Sequence, residues 1–254
     1  MSVDIEKYGE QYYKDYLNED FEFKMVYYRK KHVIELMTKY HARKILEIGC
    51  GMDPIFLAYP QYEQMTIVEP ATIMYESAVT HAKDKKNITL IHDFVENSIE
   101  NGVGELLNAE FDFILCLGLL HEVADPKKLL ECVRKLCHKD TKLLVSTRNP
   151  KSMHLLLAYE AGIIPQLDVL SERAKSLQQQ QPLDMEHMKK LLKCYNLDII
   201  EEGSFFIKPF AHSQMKALLD NGIISPKVLD GLDNMTKYLP DMGAEIFCVT
   251  KPSA

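Results

Sequence analysis

Short apolar runs alternate with longer mixed stretches through the middle of the chain. Five runs rich in isoleucine, leucine and valine recur there: Lys44–Ile48, Met65–Val68, Ile88–Ile91, Phe111–Leu117 and Lys142–Ser146. Apolar runs without polar alternation are typical of strands that are buried on both faces, and the segments between them suit crossover helices. The pattern predicts an α/β fold with a doubly wound, mostly parallel sheet.

The chain before the first strand differs from this pattern. Tyrosines are frequent in it, and from Phe23 onward the apolar positions Val26, Tyr27, Val33 and Ile34 recur at helical spacing. A helical cap is therefore predicted over residues 1–42, ahead of a main domain over residues 43–254. Within that domain, the pairs Glu69-Pro70 and Asp125-Pro126 precede predicted helices over Thr72–Ala82 and Lys127–Cys137.

The alternation ends after Asn149-Pro150. A stretch over about 150–182 is helical in composition and closes on four glutamines, 178–181, which we interpret as a solvated helix end. A helix over Leu183–Tyr195 and strands over Leu197–Phe206 and Glu245–Thr250 complete a seven-stranded sheet. Residues 207–243 between these two strands exceed what a hairpin needs. Both long segments are predicted to be helical lid insertions.

Charge and cysteine usage narrow the function classes. The 30 Lys and Arg residues face 37 Asp and Glu residues, a net charge of −7, whereas nucleic-acid binding by phosphate neutralisation favours a basic excess. The six cysteines are far apart and form no CxxC pair, so neither a metal site nor a disulfide framework is expected. No apolar run approaches the roughly 18 residues of a membrane span. We expect a soluble, cytoplasmic protein without nucleic-acid or membrane partners.

A glycine turn follows the first predicted strand and carries the strongest local signal. Gly49 and Gly51 allow the backbone to approach a ligand closely, and Asp53 before Pro54 is expected to cap a helix whose N–H groups face that ligand. Glu69 ends the second strand, about 20 residues after Gly49, where a carboxylate can accept the hydroxyls of a ribose. The pattern predicts a nucleotide-type site, with NAD(P) still open as an alternative.

The next two strands also end in candidate binding residues. The chain here resembles the class I S-adenosylmethionine-dependent methyltransferases, in particular the small-molecule group similar to the ubiquinone/menaquinone methyltransferases. In that family the glycine loop passes under the methionine part of the cofactor, the acid after the second strand holds the ribose, and the acid after the third faces the adenine. The resemblance implies these cofactor contacts: Glu47, Gly49, Gly51, Glu69, Pro70, Asp93, Phe94 and Leu117.

The resemblance also implies that the segment from Leu117 to His121 borders the methyl acceptor. His121 is the candidate general base, because an unperturbed imidazole has a pKa near 6.5. Arg148 and Lys208 are candidates for holding an anionic acceptor, and Arg29 for reaching the cofactor's carboxylate. Aromatic rings suit a sulfonium cation, so the N-terminal residues Tyr12 and Tyr16 are further candidates.

These residues predict an enzyme that uses S-adenosyl-L-methionine and releases S-adenosyl-L-homocysteine. The expected acceptor is a small soluble molecule, sugar-linked or phosphorylated, methylated on oxygen rather than nitrogen because a histidine base is available. Two alternatives stay open: a cofactor-binding regulatory or scaffold protein without turnover, and a macromolecule methyltransferase. A monomer and a homodimer are both compatible with the sequence.

Overall fold

A seven-stranded sheet forms the centre of the protein in the computed structural model, which describes residues 4–17, 21–167, 170, 172–180 and 182–253. The strands are β1 (Lys44–Ile48), β2 (Gln64–Val68), β3 (Ile88–Ile91), β4 (Phe113–Cys116), β5 (Lys142–Arg148), β6 (Leu197–Phe205) and β7 (Glu245–Pro252). Their order across the sheet is β3-β2-β1-β4-β5-β7-β6, and β7 alone runs in the opposite direction to the other six strands. The predicted seven-stranded, mostly parallel, doubly wound sheet is confirmed.

Helices cover the sheet and extend beyond its carboxyl edge. They are α1 (Ile5–Leu17), α2 (Glu22–Lys39), α3 (Thr72–Ala82), α4 (Val95–Glu100), α5 (Gly104–Leu107), α6 (Pro126–Lys135), α7 (Met153–Glu160), α8 (Glu172–Ser176), α9 (Met185–Cys194), α10 (His212–Asp220) and α11 (Pro226–Asn234). The predicted N-cap of α6 is present: the Asp125 carboxylate accepts the N–H groups of Lys127 and Lys128. Within the described residues, no helix is long and apolar enough to cross a membrane.

The central strands are buried on both faces, which explains their uninterrupted apolar sequence. In β1, Ile45 packs into the core layer that contains Phe113 and Met37, whereas Leu46 packs into the opposite layer with Ile114 and Leu130. Consecutive residues of a strand point to opposite faces, so a strand with a core on each side needs an apolar residue at almost every position.

The turn after β1 differs from the sequence prediction. Only a single 3-10 turn, Ile55–Leu57, follows Pro54, and the predicted Asp53 cap was wrong. The Glu47 carboxylate instead accepts the Ile55 N–H, at 3.0 Å and 3.2 Å for its two oxygens. Asp53 forms a 2.6 Å salt bridge with Lys30 of α2. Glu47 of β1 thus takes the capping role that was predicted for Asp53, because the turn folds back over the end of β1.

Asn149 joins the end of β5 to the segment that returns from residues 207–243. Its side-chain amide donates to the carbonyls of Asp241 and Gly243, both at 2.8 Å, and its backbone N–H donates to the Ala244 carbonyl at 3.0 Å. The side chain is buried. Buried carbonyls without a donor are costly, so the Asn149 amide helps to hold the end of the second insertion against the sheet.

Replacing Asn149 with alanine should therefore lower the free energy of unfolding by about 1–3 kcal/mol, because two buried carbonyls lose their donor. Urea unfolding monitored by circular dichroism measures the change. The control is Asn221→Ala, which removes an exposed amide that donates to the Ala217 carbonyl at 2.8 Å. Equal stability losses in both variants would contradict an anchoring role for Asn149.

Candidate active site

A cleft of about 880 Å³ opens along the carboxyl edge of the parallel strands. The chain proceeds outward from β1 to β2 and β3, then crosses back to β4 on the other side of β1. Segments that leave neighbouring strands in opposite directions leave a crevice between them, and ligands of open α/β sheets bind in such crevices. The segments that follow β1, β2, β3 and β4 line one part of the cleft, and the two insertions and the N-terminal helices line the rest.

Two glycines shape the turn after β1. Gly49 has φ +71°, and a Cβ at this position would lie 2.9 Å from Leu119 Cδ2. Its N–H donates to the Val68 carbonyl of β2 at 2.9 Å, and Gly51 has φ +58°. The positive φ angles and the close approach of the β4 turn therefore require glycine here. Both glycines line the cleft, as the sequence predicts.

Glu69 lines the cleft and is held by backbone donors. Its two carboxylate oxygens accept the N–H groups of Gly51 at 3.2 Å and of Ala71 at 3.0 Å. Burial raises the pKa of the carboxyl group, although these donors oppose the rise, and the residue is 3% exposed. A carboxylate oxygen has two lone pairs, so each can accept one ligand hydroxyl as well. Pro70 lines the same part of the cleft.

Glu47 is the second buried acid of this half. It lines the cleft beside the glycine turn, and burial raises its pKa to about 8, which the Ile55 N–H and the nearby Lys30 partly offset. A carboxyl group with this pKa is mostly protonated at neutral pH. An ammonium group bound nearby would favour the ionised form.

The segment after β3 carries the two residues expected at the adenine, Asp93 and Phe94, and only Phe94 lines the cleft. Phe94 lines the cleft, together with Val95 and Asn97. Asp93 is not part of the lining: its carboxylate accepts the Phe94 N–H at 2.8 Å and the Asn97 amide at 3.0 Å. The Asp93 side chain therefore orders the start of α4, and the structure brings Phe94 but not Asp93 into the site.

His121 lies on the single 3-10 turn that follows β4, beyond Leu117, which lines the cleft as predicted. The ring is buried, and burial together with Arg148 and Arg29 lowers its pKa to about 3. The ring Nδ1 accepts the Arg148 N–H at 3.4 Å and lies 3.1 Å from the Thr147 hydroxyl. The imidazole is thus neutral at ordinary pH, and one ring nitrogen faces the protein.

Glu122, the next residue, was missed by the sequence analysis. Its oxygens accept the Tyr8 hydroxyl at 2.8 Å and the Gln179 amide at 3.1 Å. Burial raises its pKa to about 7, and both donors oppose the rise. The adjacency of His121 and Glu122 was visible in the sequence, but only tertiary contacts from α1 and Gln179 bury the carboxyl group.

The described part of the glutamine tract, Gln178 to Gln180, follows the end of α8 and is partly exposed, as expected, but it also hydrogen-bonds to two other segments. Gln178 exchanges two 3.0 Å hydrogen bonds with the Asp4 backbone, and the Gln180 N–H donates to the His121 carbonyl at 2.6 Å. The side-chain oxygen of Gln179 accepts a hydrogen bond from the Arg148 guanidinium at 2.8 Å, and its side-chain NH2 group donates to Glu122. The tract links the N-terminal helix to the β4 turn.

Two of the N-terminal candidates can be placed. Tyr12 lines the cleft, with its ring 6.1 Å from that of Tyr8. Arg29 also lines the cleft, but its guanidinium forms a 2.6 Å salt bridge with Glu245 at the start of β7. The structure therefore engages Arg29 with the protein rather than supporting its expected cofactor contact. The side chain of Tyr16 lies outside the described residues.

Arg148 and Lys208 both line the cleft, together with residues of the two insertions. Lys208 is 3% exposed, and its ammonium donates to His212 Nδ1 at 2.9 Å. His154 of α7, which the sequence analysis did not single out, lines the same region. No group of three or more His, Cys, Asp or Glu side chains arranged for a metal ion occurs in the described part of the chain.

A family model described as a methyltransferase domain matches residues 24–202. The chain belongs to this methyltransferase family. Its cofactor is S-adenosylmethionine, and the cleft fits that molecule: a glycine turn, a fixed buried carboxylate at Glu69 and an aromatic ring at Phe94 lie along one edge of the sheet. A comparison with curated proteins finds no match. The ubiquinone-like subgroup stays a prediction.

Solved structures share the fold at low sequence identity. A methyltransferase from Archaeoglobus fulgidus is 15% identical with a TM-score of 0.51, covering 91% of this chain and 99% of that one. The N-methyltransferase NodS from Bradyrhizobium japonicum, bound to S-adenosylhomocysteine, is 11% identical with a TM-score of 0.55, covering 94% and 91%. The plantazolicin methyltransferase BamL is 15% identical with a TM-score of 0.56, covering 97% of each chain.

Replacing Glu69 with glutamine should weaken S-adenosylhomocysteine binding by about tenfold or more, because hydrogen bonds to an ionised group contribute about 1.5–3 kcal/mol. Isothermal titration calorimetry measures the affinity. The matched control is Glu76→Gln, an exposed acid on α3, which should bind like the parent. Unchanged affinity in the Glu69 variant would contradict a ribose contact.

Proposed function

We propose that the protein transfers a methyl group from S-adenosylmethionine to a small molecule bound between the β4 turn and the two insertions. The observation that carries the proposal is the continuity of the cleft: one cavity extends from Gly49 and Glu69 to Arg148 and Lys208. Cofactor-binding and acceptor-binding side chains therefore share one space, as in-line transfer between two bound reactants requires.

The bound cofactor would supply a methyl group on a sulfonium. In the cofactor half, Gly49 and Gly51 would let the backbone approach its methionine part, and Glu69 would hold the ribose hydroxyls. Phe94 would contact the adenine by its ring, without Asp93. Glu47 would lie near the cofactor's amino end, where an ammonium group matches a buried carboxyl group.

A small acceptor is favoured over a macromolecule by the enclosure of the far half. Side chains of α1, α2, α7 and the segment before α10 line it, and Lys208 is almost completely buried there. These elements leave less room for a polypeptide or nucleic-acid strand than for a small molecule. Tyr12, Arg148 and Lys208 are the proposed acceptor contacts. Tyr16 and the cytoplasmic location stay predictions.

Methylation of an oxygen is proposed because the cleft offers a group that can take the hydroxyl proton. An effective base has a pKa near the working pH. Glu122, at about 7, meets this condition, whereas His121, at about 3, is a much weaker base. We therefore transfer the proposed proton-accepting role from His121 to its neighbour. His121 would then position the turn through Arg148 and Thr147.

If Glu122 is the base, kcat/KM should rise with pH through an inflection near 7, because the carboxyl group must lose its proton before it can accept one. Glu122→Gln should remove this rising limb. Tyr8→Phe is the matched variant: it deletes a donor that lowers the Glu122 pKa, so the limb should persist at higher pH. A profile without an inflection between pH 5 and 9 would exclude Glu122.

Turnover itself is tested by mixing the purified protein, S-adenosylmethionine and a fractionated pool of small metabolites, and by measuring S-adenosylhomocysteine release. Release that depends on one fraction is expected, together with a mass increase of one methyl group in a component of that fraction. Cofactor binding without release from any fraction would indicate a regulatory or scaffold protein. Release only with added RNA or protein would indicate a macromolecule methyltransferase.

A further inference from the structure

Lys208 is a buried ammonium group at the wall of the cleft. Its side chain is 3% exposed, and burying a charged amine is costly unless hydrogen-bonding or charged groups compensate. The backbone two residues earlier is also unusual: Phe206 has φ +48°, and packing holds it there, with its ring stacked 4.7 Å from Tyr28. Strained backbone of this kind occurs at binding sites.

The start of α10 lies beside Lys208. His212 is its first residue, and its Nδ1 accepts the Lys208 ammonium at 2.9 Å. Ala211, the N-cap, lines the cleft. The first N–H groups of a helix have no acceptor within the helix, and this end carries a partial positive charge that favours anions. A cationic side chain and a helix N-terminus thus border the same space.

Backbone hydrogen bonds bring the other insertion to this point. The Ala244 N–H donates to the Phe206 carbonyl at 2.8 Å, and the Met153 N–H donates to the Met242 carbonyl at 3.1 Å. Residues 242–244 therefore lie between the segment that carries Lys208 and the start of α7, which carries His154. Burial, together with Lys208, His212 and Arg148, lowers the His154 pKa to about 2.

Three of the acids that line the same cleft in the described structure each have a partner in the protein. Glu245 forms its salt bridge with Arg29, and Glu22 lies 3.9 Å from Arg29 and 3.3 Å from His212 Nε2. Glu122 accepts hydrogen bonds from Tyr8 and Gln179. Among the described residues, the charged and titratable groups that act on His154 are Lys208, Arg148 and His212, and the start of α10 lies beside them.

We propose that Lys208, Arg148 and His154, together with the start of α10, form a subsite for an oxyanion group, a carboxylate or a phosphate, carried by the methyl acceptor. The inference rests on the proposed function for the placement of the acceptor and adds its chemical class. The guanidinium and ammonium groups bind the oxyanion as charged donors, and the ring of His154 donates from its N–H.

The test uses inorganic phosphate and acetate as probes, titrated into the full-length protein saturated with S-adenosylhomocysteine. The wild type should bind at least one probe, and the preferred probe identifies a phosphate or a carboxylate. Lys208→Met and His154→Leu should each weaken binding about tenfold or more, with S-adenosylhomocysteine affinity unchanged. Lys216→Met is the control, because Lys216 lies exposed on α10 and pairs with Asp220 at 2.6 Å.

The subsite is refuted if the wild type binds neither probe, or if both variants bind like the control. Each variant is first checked for a thermal unfolding midpoint and S-adenosylhomocysteine affinity like those of the wild type. If Lys208→Met fails to fold, His154→Leu decides. A protein that binds S-adenosylhomocysteine and releases it on turnover, but ignores both probes, retains the proposed function and loses this inference. If a probe binds but no metabolite is methylated, the anion-binding site is retained, whereas the proposed function and the assignment of the site to a methyl acceptor are lost.

Discussion

The site depends on the contact between the Glu69 carboxylate and two backbone N–H groups. One belongs to Gly51 in the turn after β1, and the other to Ala71 after β2, so a single side chain joins two strand ends. Because both donors are backbone N–H groups, the two strand ends fix the carboxylate, and the carboxylate in turn holds the two strand ends together. Glu47 repeats the arrangement through the Ile55 N–H. Rigid backbone donors pre-organise a binding carboxylate, so little ordering is left to binding.

The remaining half of the cleft is built in a different way. Its side chains come from segments far apart in sequence, and a few bridging groups hold them together: Gln179 between Arg148 and Glu122, and Asn149 between β5 and the second insertion. Burial then sets the protonation of what these segments enclose. It raises the pKa of the Glu122 carboxyl group and lowers that of the His121 ring, although the two residues are adjacent. In both groups, the exclusion of water favours the neutral form over the charged form.

The sheet could be predicted because each central strand contacts a core layer on both faces, and this requirement is written locally as uninterrupted apolar sequence. The glycine turn and Glu69 were also predictable, since positive φ angles and a strand-end acid at fixed spacing leave a local signature. Asp53 shows the limit of local signals. An acid before a proline is a good helix cap, but Asp53 pairs with Lys30 instead, and the Ile55 N–H donates to Glu47.

By itself, the sequence predicted the doubly wound sheet, the glycine turn and the strand-end acid Glu69, because these follow from periodicity and spacing over a few tens of residues. The kind of cofactor followed from the resemblance of these motifs to a known family. The tertiary structure alone decided that Asp93 faces α4, that Glu122 is a buried acid and that His154 and Lys208 line the same cleft. Those outcomes depend on which distant segments come together and how much water they exclude. Neither the pairing of distant segments nor the loss of water around a side chain can be predicted from the residues adjacent to it in the sequence.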